Sequence, residues 1–183
     1  MPDPSPLPNR RSVRLPGFDY SRLGQYFVTI CAFQKRCLFG RVDGSRVHLN
    51  HLGEIAHRCW IEIPAHFPQV TLDAFVVMPN HVHGILAIQT RARRAVPLQE
   101  IHRPELFRKP VLGSLATIVR SYKSAAAKQV RTMLRQPDYA LWQRNFYESV
   151  LRSGKDYANA ARYILENPKM WHLDSENPLS PAR

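Results

Sequence analysis

The sequence predicts an α+β domain: an antiparallel sheet with helices packed on it, close to the ferredoxin-like arrangement. Three observations predict it. Runs rich in β-branched and aromatic residues recur along the chain. Segments with apolar residues at helical spacing and a capping residue in front fall between them. Their order is β, ββ, α, β, β, α, α, with no internal repeat. At 183 residues the chain is long enough to bury a real core as one domain with tails.

The elements follow in order. Residues 1–16 are rich in Pro, Arg and Ser and read as a basic flexible arm carrying Arg10, Arg11 and Arg14. The main domain then spans 17–172, and 173–183 form a C-terminal tail. "YFVTICAF", Tyr26 to Phe33, reads as the first strand, and "CLFGRVDGSRVHLN" as a hairpin turning at Asp43-Gly44. Asn50 offers a cap to a helix with Leu52, Ile55, Ala56, Cys59 and Trp60 on its apolar stripe. Val70–Met78 and His81–Ile88 are two further strands joined by Pro79-Asn80. Residues 89–112 hold Arg91, Arg93, Arg94, Arg103, Arg108 and Lys109 among several prolines and read as a flexible basic loop. Ser114 can cap a helix with Leu115, Ile118, Val119, Tyr122 and Met133 on one side and Arg120, Ser124, Lys128, Arg131 and Arg135 on the other. "LWQRNFYESVL" is a short extended or turning segment. A last helix runs from about Asp156 to Asn167 and stops at Pro168.

Charge narrows the function. The chain has 26 Lys and Arg against 14 Asp and Glu, a net +12, which favours a polyanionic partner, nucleic acid before anionic membrane. The basic stripe of the Ser114 helix has almost no acidic residue interleaved, so phosphate contact competes there with a plain solvated face. No apolar run approaches the roughly 20 residues of a membrane-spanning helix, and the N-terminus has no signal-peptide core. Cys31, Cys37 and Cys59 form no CxxC pair, which argues against a disulfide framework or a structural zinc site and makes a cytoplasmic location the default.

Chemistry concentrates in two places. In "FVVMPNHVHG" His81 and His83 stand at i and i+2 of a strand and so project from one face, a spacing that lets two imidazoles meet one metal ion. A hydrogen-bonded histidine pair in the core is the alternative. Pro79 and Asn80 break the ladder before the pair, and Gly84 is expected to leave room beside it. With no acidic neighbour, Mg²⁺ would need a further oxygen ligand. The last helix offers one: Asn159, Tyr163 and Asn167 stack at i, i+4 and i+8, flanked by Asp156 and Glu166. Tyr157, Ala161, Ile164 and Leu165 form the apolar stripe, so Tyr157 reads as core. Tyr163 sits among polar residues, either as a reactive hydroxyl or as an ordinary exposed tyrosine. Trp142, Phe146 and Tyr147 are either core or stacking surfaces for unpaired bases.

"RLPGFDYSRLGQYFVTICAFQKRCLFG", "LDAFVVMPNHVHGIL", "SYKSA", "WQRNFYESVLRS" and "ARYILENP", in that order over Arg11 to Trp171, resemble the REP-associated tyrosine transposases, within the single-tyrosine HUH transposases of the IS200/IS605 type. The resemblance implies a DNA strand transferase acting on single-stranded or hairpin DNA, as a monomer or a homodimer. It implies His81, His83 and Asn167 as ligands of Mg²⁺ or Mn²⁺, with the HUH pair on a central strand. It also implies Tyr163, on a C-terminal helix, as the nucleophile forming a 5′-phosphotyrosine. Asn167 stands where the insertion-sequence enzymes have Gln, a shorter reach. Arg10, Arg11, Arg14, Arg120, Lys123, Lys128 and Arg131 are the expected DNA contacts; neither a membrane nor a small-molecule substrate is expected. A basic RNA- or DNA-processing nuclease without a covalent intermediate, or an inactive hairpin-binding protein, are the competing readings.

Overall fold

The computed structural model describes residues 23–89, 113–174 and 176–178. The basic arm with Arg10, Arg11 and Arg14, nearly all of the basic loop, and most of the tail lie outside the described residues. The described residues form ten main elements: β1 (Gly24–Cys31), β2 (Gly40–Asp43), β3 (Arg46–Leu49), α1 (His51–Ile61), α2 (Ile63–His66), β4 (Val70–Val77), β5 (His81–Ile88), α3 (Leu115–Leu134), β6 (Tyr147–Leu151) and α4 (Gly154–Glu166). Short 3-10 turns follow β1 (Phe33–Lys35) and α4 (Trp171–Leu173).

Among the described residues, four strands form one antiparallel sheet in the order β4-β5-β1-β6, while β2 and β3 pair only with each other. Set that hairpin and the short α2 aside and the chain reads β-α-β-β-α-β with its first and third strands in the middle, which is the ferredoxin-like arrangement. The α+β expectation is met. The segment around Phe146 resolves into β6, whose pairing to β1 from Gln25↔Leu151 to Thr29↔Tyr147 makes it a sheet edge. Its mixed composition carried no clean alternation, so pairing with β1 decided its state.

Alternation along β1 and β5 divides the sheet into two faces. Tyr26, Val28 and Ile30 of β1, with Val82 and Leu86 of β5, pack under α1 and α3 against Ala56, Trp60, Ile118, Val119 and Tyr122. Phe27 and Thr29 of β1, with His81 and His83 of β5, turn to the other face, which α4 covers. Asn50 caps α1 by accepting from the amides of Leu52 and Gly53, and Ser114 caps α3 through Thr117 N–H. Met133, expected on the apolar side of α3, is exposed.

Gly84 corrects a reading made from sequence. Its absent side chain faces α1, where a Cβ would come within 2.2 Å of the Trp60 indole. One residue beyond His83, it points away from the histidine face, so it makes room for a tryptophan and not for a ligand.

Candidate active site

His81 and His83 are both buried, with ring centroids 4.3 Å apart. Each is oriented through Nδ1. Asn80 donates its amide hydrogens to the carbonyls of Lys35 and Glu176, so its Oδ1 must accept from His81 Nδ1–H at 2.8 Å. Thr29, directly opposite His83 in the β1–β5 ladder, places Oγ1 2.8 Å from His83 Nδ1. Both Nε2 atoms are buried without a hydrogen-bond partner among the described residues. A buried ring nitrogen left unpaired costs on the order of 1–3 kcal/mol, and two in neighbouring side chains need an explanation. Imidazoles held through Nδ1 with Nε2 bare are what metal-binding histidines look like.

Asn167 closes α4 and is buried. Its Nδ2 donates to Asp174 Oδ2 at 2.8 Å, which fixes the amide and leaves Oδ1 as a third buried atom without a partner among the described residues. Asp174 is the residue that the sequence reading missed. It follows the 3-10 turn after α4, its Oδ1 accepts from Glu176 N–H at 2.7 Å, and it is buried. His81, His83 and Asp174 can each bring one ligand atom within 4.8 Å of the others. The expectation of no acidic neighbour therefore fails: Asp174 arrives from a segment folded back over the start of β5. A single Asp among "WHLDSENP" carries no periodic or spacing signal that would have picked it out.

The electrostatics agree with a cation site. Burial, reinforced by the Lys35 charge, pushes the His81 pKa down to about 3. Burial, then the neighbouring His81, also lowers that of His83, against an opposing pull from Asp174. Both rings are thus neutral and able to ligate at neutral pH. Cys31 stands opposite His81 in the ladder, but burial and then the Glu176 carboxylate raise its thiol to about 12, so it stays protonated.

Tyr163 lies on the α4 side facing the pair. Its ring centroid is 5.1 Å from that of His83 and 6.0 Å from that of Phe27, and 46% of its surface is exposed. Burial of the rest, then the charge on Asp174, raises its pKa above the ordinary value near 10. Tyr157 is not core: its hydroxyl donates to Asp73 Oδ2 at 2.7 Å across to β4. Leu165 of the same expected stripe is exposed, and Ile164 alone of the helix is fully buried. Asn159 is exposed, and Asp156 is used up in a reciprocal cap with Ser153.

The expected DNA contacts separate. Arg120, Lys128 and Arg131 are exposed on α3, across the sheet from the histidines, with Arg131 Nε donating to Tyr139 O. Lys123 is placed differently: its ammonium is gripped by the carbonyls of Gln143, Arg144 and Asn145, and burial lowers its pKa to about 8. Among the described residues no helix is long and apolar enough to cross a membrane.

No family model matches the chain. An uncharacterized protein of Haemophilus influenzae is 39% identical over 168 residues, spanning 91% of this chain and 92% of that protein. Among solved structures, that of the REP-associated tyrosine transposase bound to a REP hairpin superposes with a TM-score of 0.55 at 18% identity. It covers 87% of this chain and 73% of the other. That likeness is one of fold.

Proposed function

We propose that this chain, which belongs to one family with the Haemophilus influenzae protein and has the fold of the REP-associated tyrosine transposase, is itself a single-tyrosine DNA strand transferase. Its substrate on this reading is single-stranded, hairpin-forming DNA. The observation that carries the proposal is the set of three buried, unpartnered atoms, His81 Nε2, His83 Nε2 and Asn167 Oδ1, beside the half-exposed Tyr163.

Two imidazole nitrogens, an amide oxygen and a carboxylate oxygen form a donor set that fits Mn²⁺, and Mg²⁺ less closely. His81, His83, Asn167 and Asp174 would hold that ion, and its chemistry there is to neutralise phosphoryl oxygens and favour the phenolate of a nearby tyrosine. Asn80 and Thr29 keep the imidazoles aimed, and Asp174 keeps the Asn167 amide turned. Tyr163 Oη loses its proton and attacks phosphorus; the new Oη–P bond replaces the P–O3′ bond, and the departing 3′ oxygen takes up a proton. The 5′ end stays on the protein as a phosphotyrosine. Because that ester keeps the energy of the broken bond, a 3′-hydroxyl can reverse the step and join strands without ATP. Arg120, Lys128 and Arg131, with the arm residues Arg10, Arg11 and Arg14, supply phosphate contacts on this reading. Lys123 shapes the chain around residues 143–145.

The test is incubation with hairpin-forming single-stranded oligonucleotides from the flanks of the chain's own gene, with Mn²⁺, followed by denaturing gels. A protein–DNA adduct that survives denaturation and a free 3′-hydroxyl fragment are expected. Cut DNA with no adduct would favour a hydrolytic nuclease and overturn the proposal.

A further inference from the structure

The structure places a second tyrosine on the histidine face. In the ladders Tyr147 of β6 pairs with Thr29 of β1, and Thr29 pairs with His83 of β5. Residues paired across antiparallel strands point the same way, so Tyr147, Thr29 and His83 form one row on the side where Tyr163 lies. Two strand spacings put Tyr147 about 10 Å from His83. Beyond β6 no further strand is present among the described residues, and 43% of the Tyr147 surface is exposed.

The neighbouring aromatics are already committed to the fold. Trp142 donates Nε1–H to Lys123 O at 3.1 Å, and its ring lies 5.0 Å from Phe39 and 5.5 Å from Tyr122. Phe146 packs against the core. Of the three aromatics in this stretch, Tyr147 alone shows its ring to solvent on the active face. The chain leading into it is fixed, because the Lys123 ammonium holds three successive carbonyls at residues 143–145. Cations lie along this edge: Arg144, three residues before the ring, and Arg152, just past the far end of β6, are exposed, and Lys35, bridged to Glu176 at 2.9 Å, is within electrostatic reach of the phenol.

We propose that Tyr147 is a stacking platform for an unpaired base of the DNA strand beside the scissile phosphate. This rests on the strand-transfer reading and adds a substrate-binding residue to it. An aromatic ring on an exposed sheet face accepts any base through its π-face, and flanking cations take the phosphates on either side. A rigid strand, unlike a loop, holds that ring at a fixed distance from the histidine pair, so the stacked base would set where along the strand Tyr163 meets phosphorus.

The experiment uses the full chain and a hairpin oligonucleotide that it joins to itself covalently. Tyr147→Ala should weaken binding by roughly 5- to 150-fold, and Tyr147→Phe, which keeps the ring, should restore it. The slope of affinity against salt should stay as it was, since no phosphate contact is lost. A series with an abasic nucleotide at each position near the cut should find one position that costs the unaltered protein the same factor and costs Tyr147→Ala nothing more. The abasic series on the unaltered protein needs no variant to fold. If Tyr147→Ala binds and cuts normally, or every abasic penalty is the same in both proteins, the stacking inference is overturned while strand transfer stands. If no oligonucleotide yields an adduct, the strand-transfer reading fails first and this inference falls with it.

Discussion

Tyr163 and His83 meet across the interface of α4 and β5 with ring centroids 5.1 Å apart and planes inclined by 64°. Tyr157, on the same helix, reaches instead to Asp73 on β4. Six residues separate the two tyrosines, about 600° of rotation, so their side chains leave the helix about 120° apart. Tyr163→Phe removes only a hydroxyl and should fold, bind hairpin DNA and form no adduct. Tyr157→Phe gives up a surface hydrogen bond and should remain active. Mass spectrometry of the nuclease-trimmed adduct should find the nucleotide on the peptide containing "ARYILENP"; a nucleotide on Tyr157 would reverse the assignment.

The metal ligands give a second prediction. His81→Ala and His83→Ala should each abolish calorimetric Mn²⁺ binding and DNA cleavage. Hairpin affinity should stay within a few-fold, because phosphate contacts dominate it. Asp174→Asn keeps the shape but loses both the carboxylate ligand and the charge that orients Asn167, and should weaken Mn²⁺ binding by more than the roughly 10- to 100-fold that loss of a supporting residue alone costs. Cleavage at the original rate by His81→Ala in the presence of EDTA would refute the site.

Stability should fall as the pH is lowered. In the folded chain burial holds His81 neutral down to about pH 3, whereas in the unfolded chain it takes up a proton near pH 6.5. Between those limits the unfolded state binds the extra proton. Stability is therefore full above the unfolded value and is lost on acidification, by about 1.4 kcal/mol per pH unit for this one group. His83, whose pKa is lowered as well, acts in the same direction. Urea midpoints measured from about pH 7 to about pH 5 should show the decline, and His81→Gln should flatten it.

The basic face of α3 gives a fourth. Replacing Arg120, Lys128 and Arg131 together by Gln should reduce the slope of log affinity against log salt by about 2, at about 0.7 per phosphate contact on single strands. Since that face lies across the sheet from Tyr163, cleavage of DNA already bound should be unaffected. An unchanged slope would return these residues to ordinary solvated surface.

Much of this arrangement is legible in the sequence. Asn50 and Ser114 announced α1 and α3, because a short polar side chain before an apolar periodic run satisfies free amides in one way. The i and i+2 spacing of His81 and His83 put both rings on one face, because side chains along a strand alternate. Tyr163 and Asn167 share a face for the equally local reason that four residues make slightly more than one full helical turn. What tertiary structure decided is everything that depends on a second segment. Gly84 serves Trp60, from a helix more than twenty residues away. Asp174 enters the histidine cluster only because the chain after α4 folds back on the start of β5. Lys123 is spent on a turn and not on solvent. Tyr157 and Leu165 are not core, because α4 buries only a narrow strip against a sheet whose own width no local pattern encodes. Periodicity fixes which way a side chain leaves its own element; what it meets there is set by packing between segments distant in the chain.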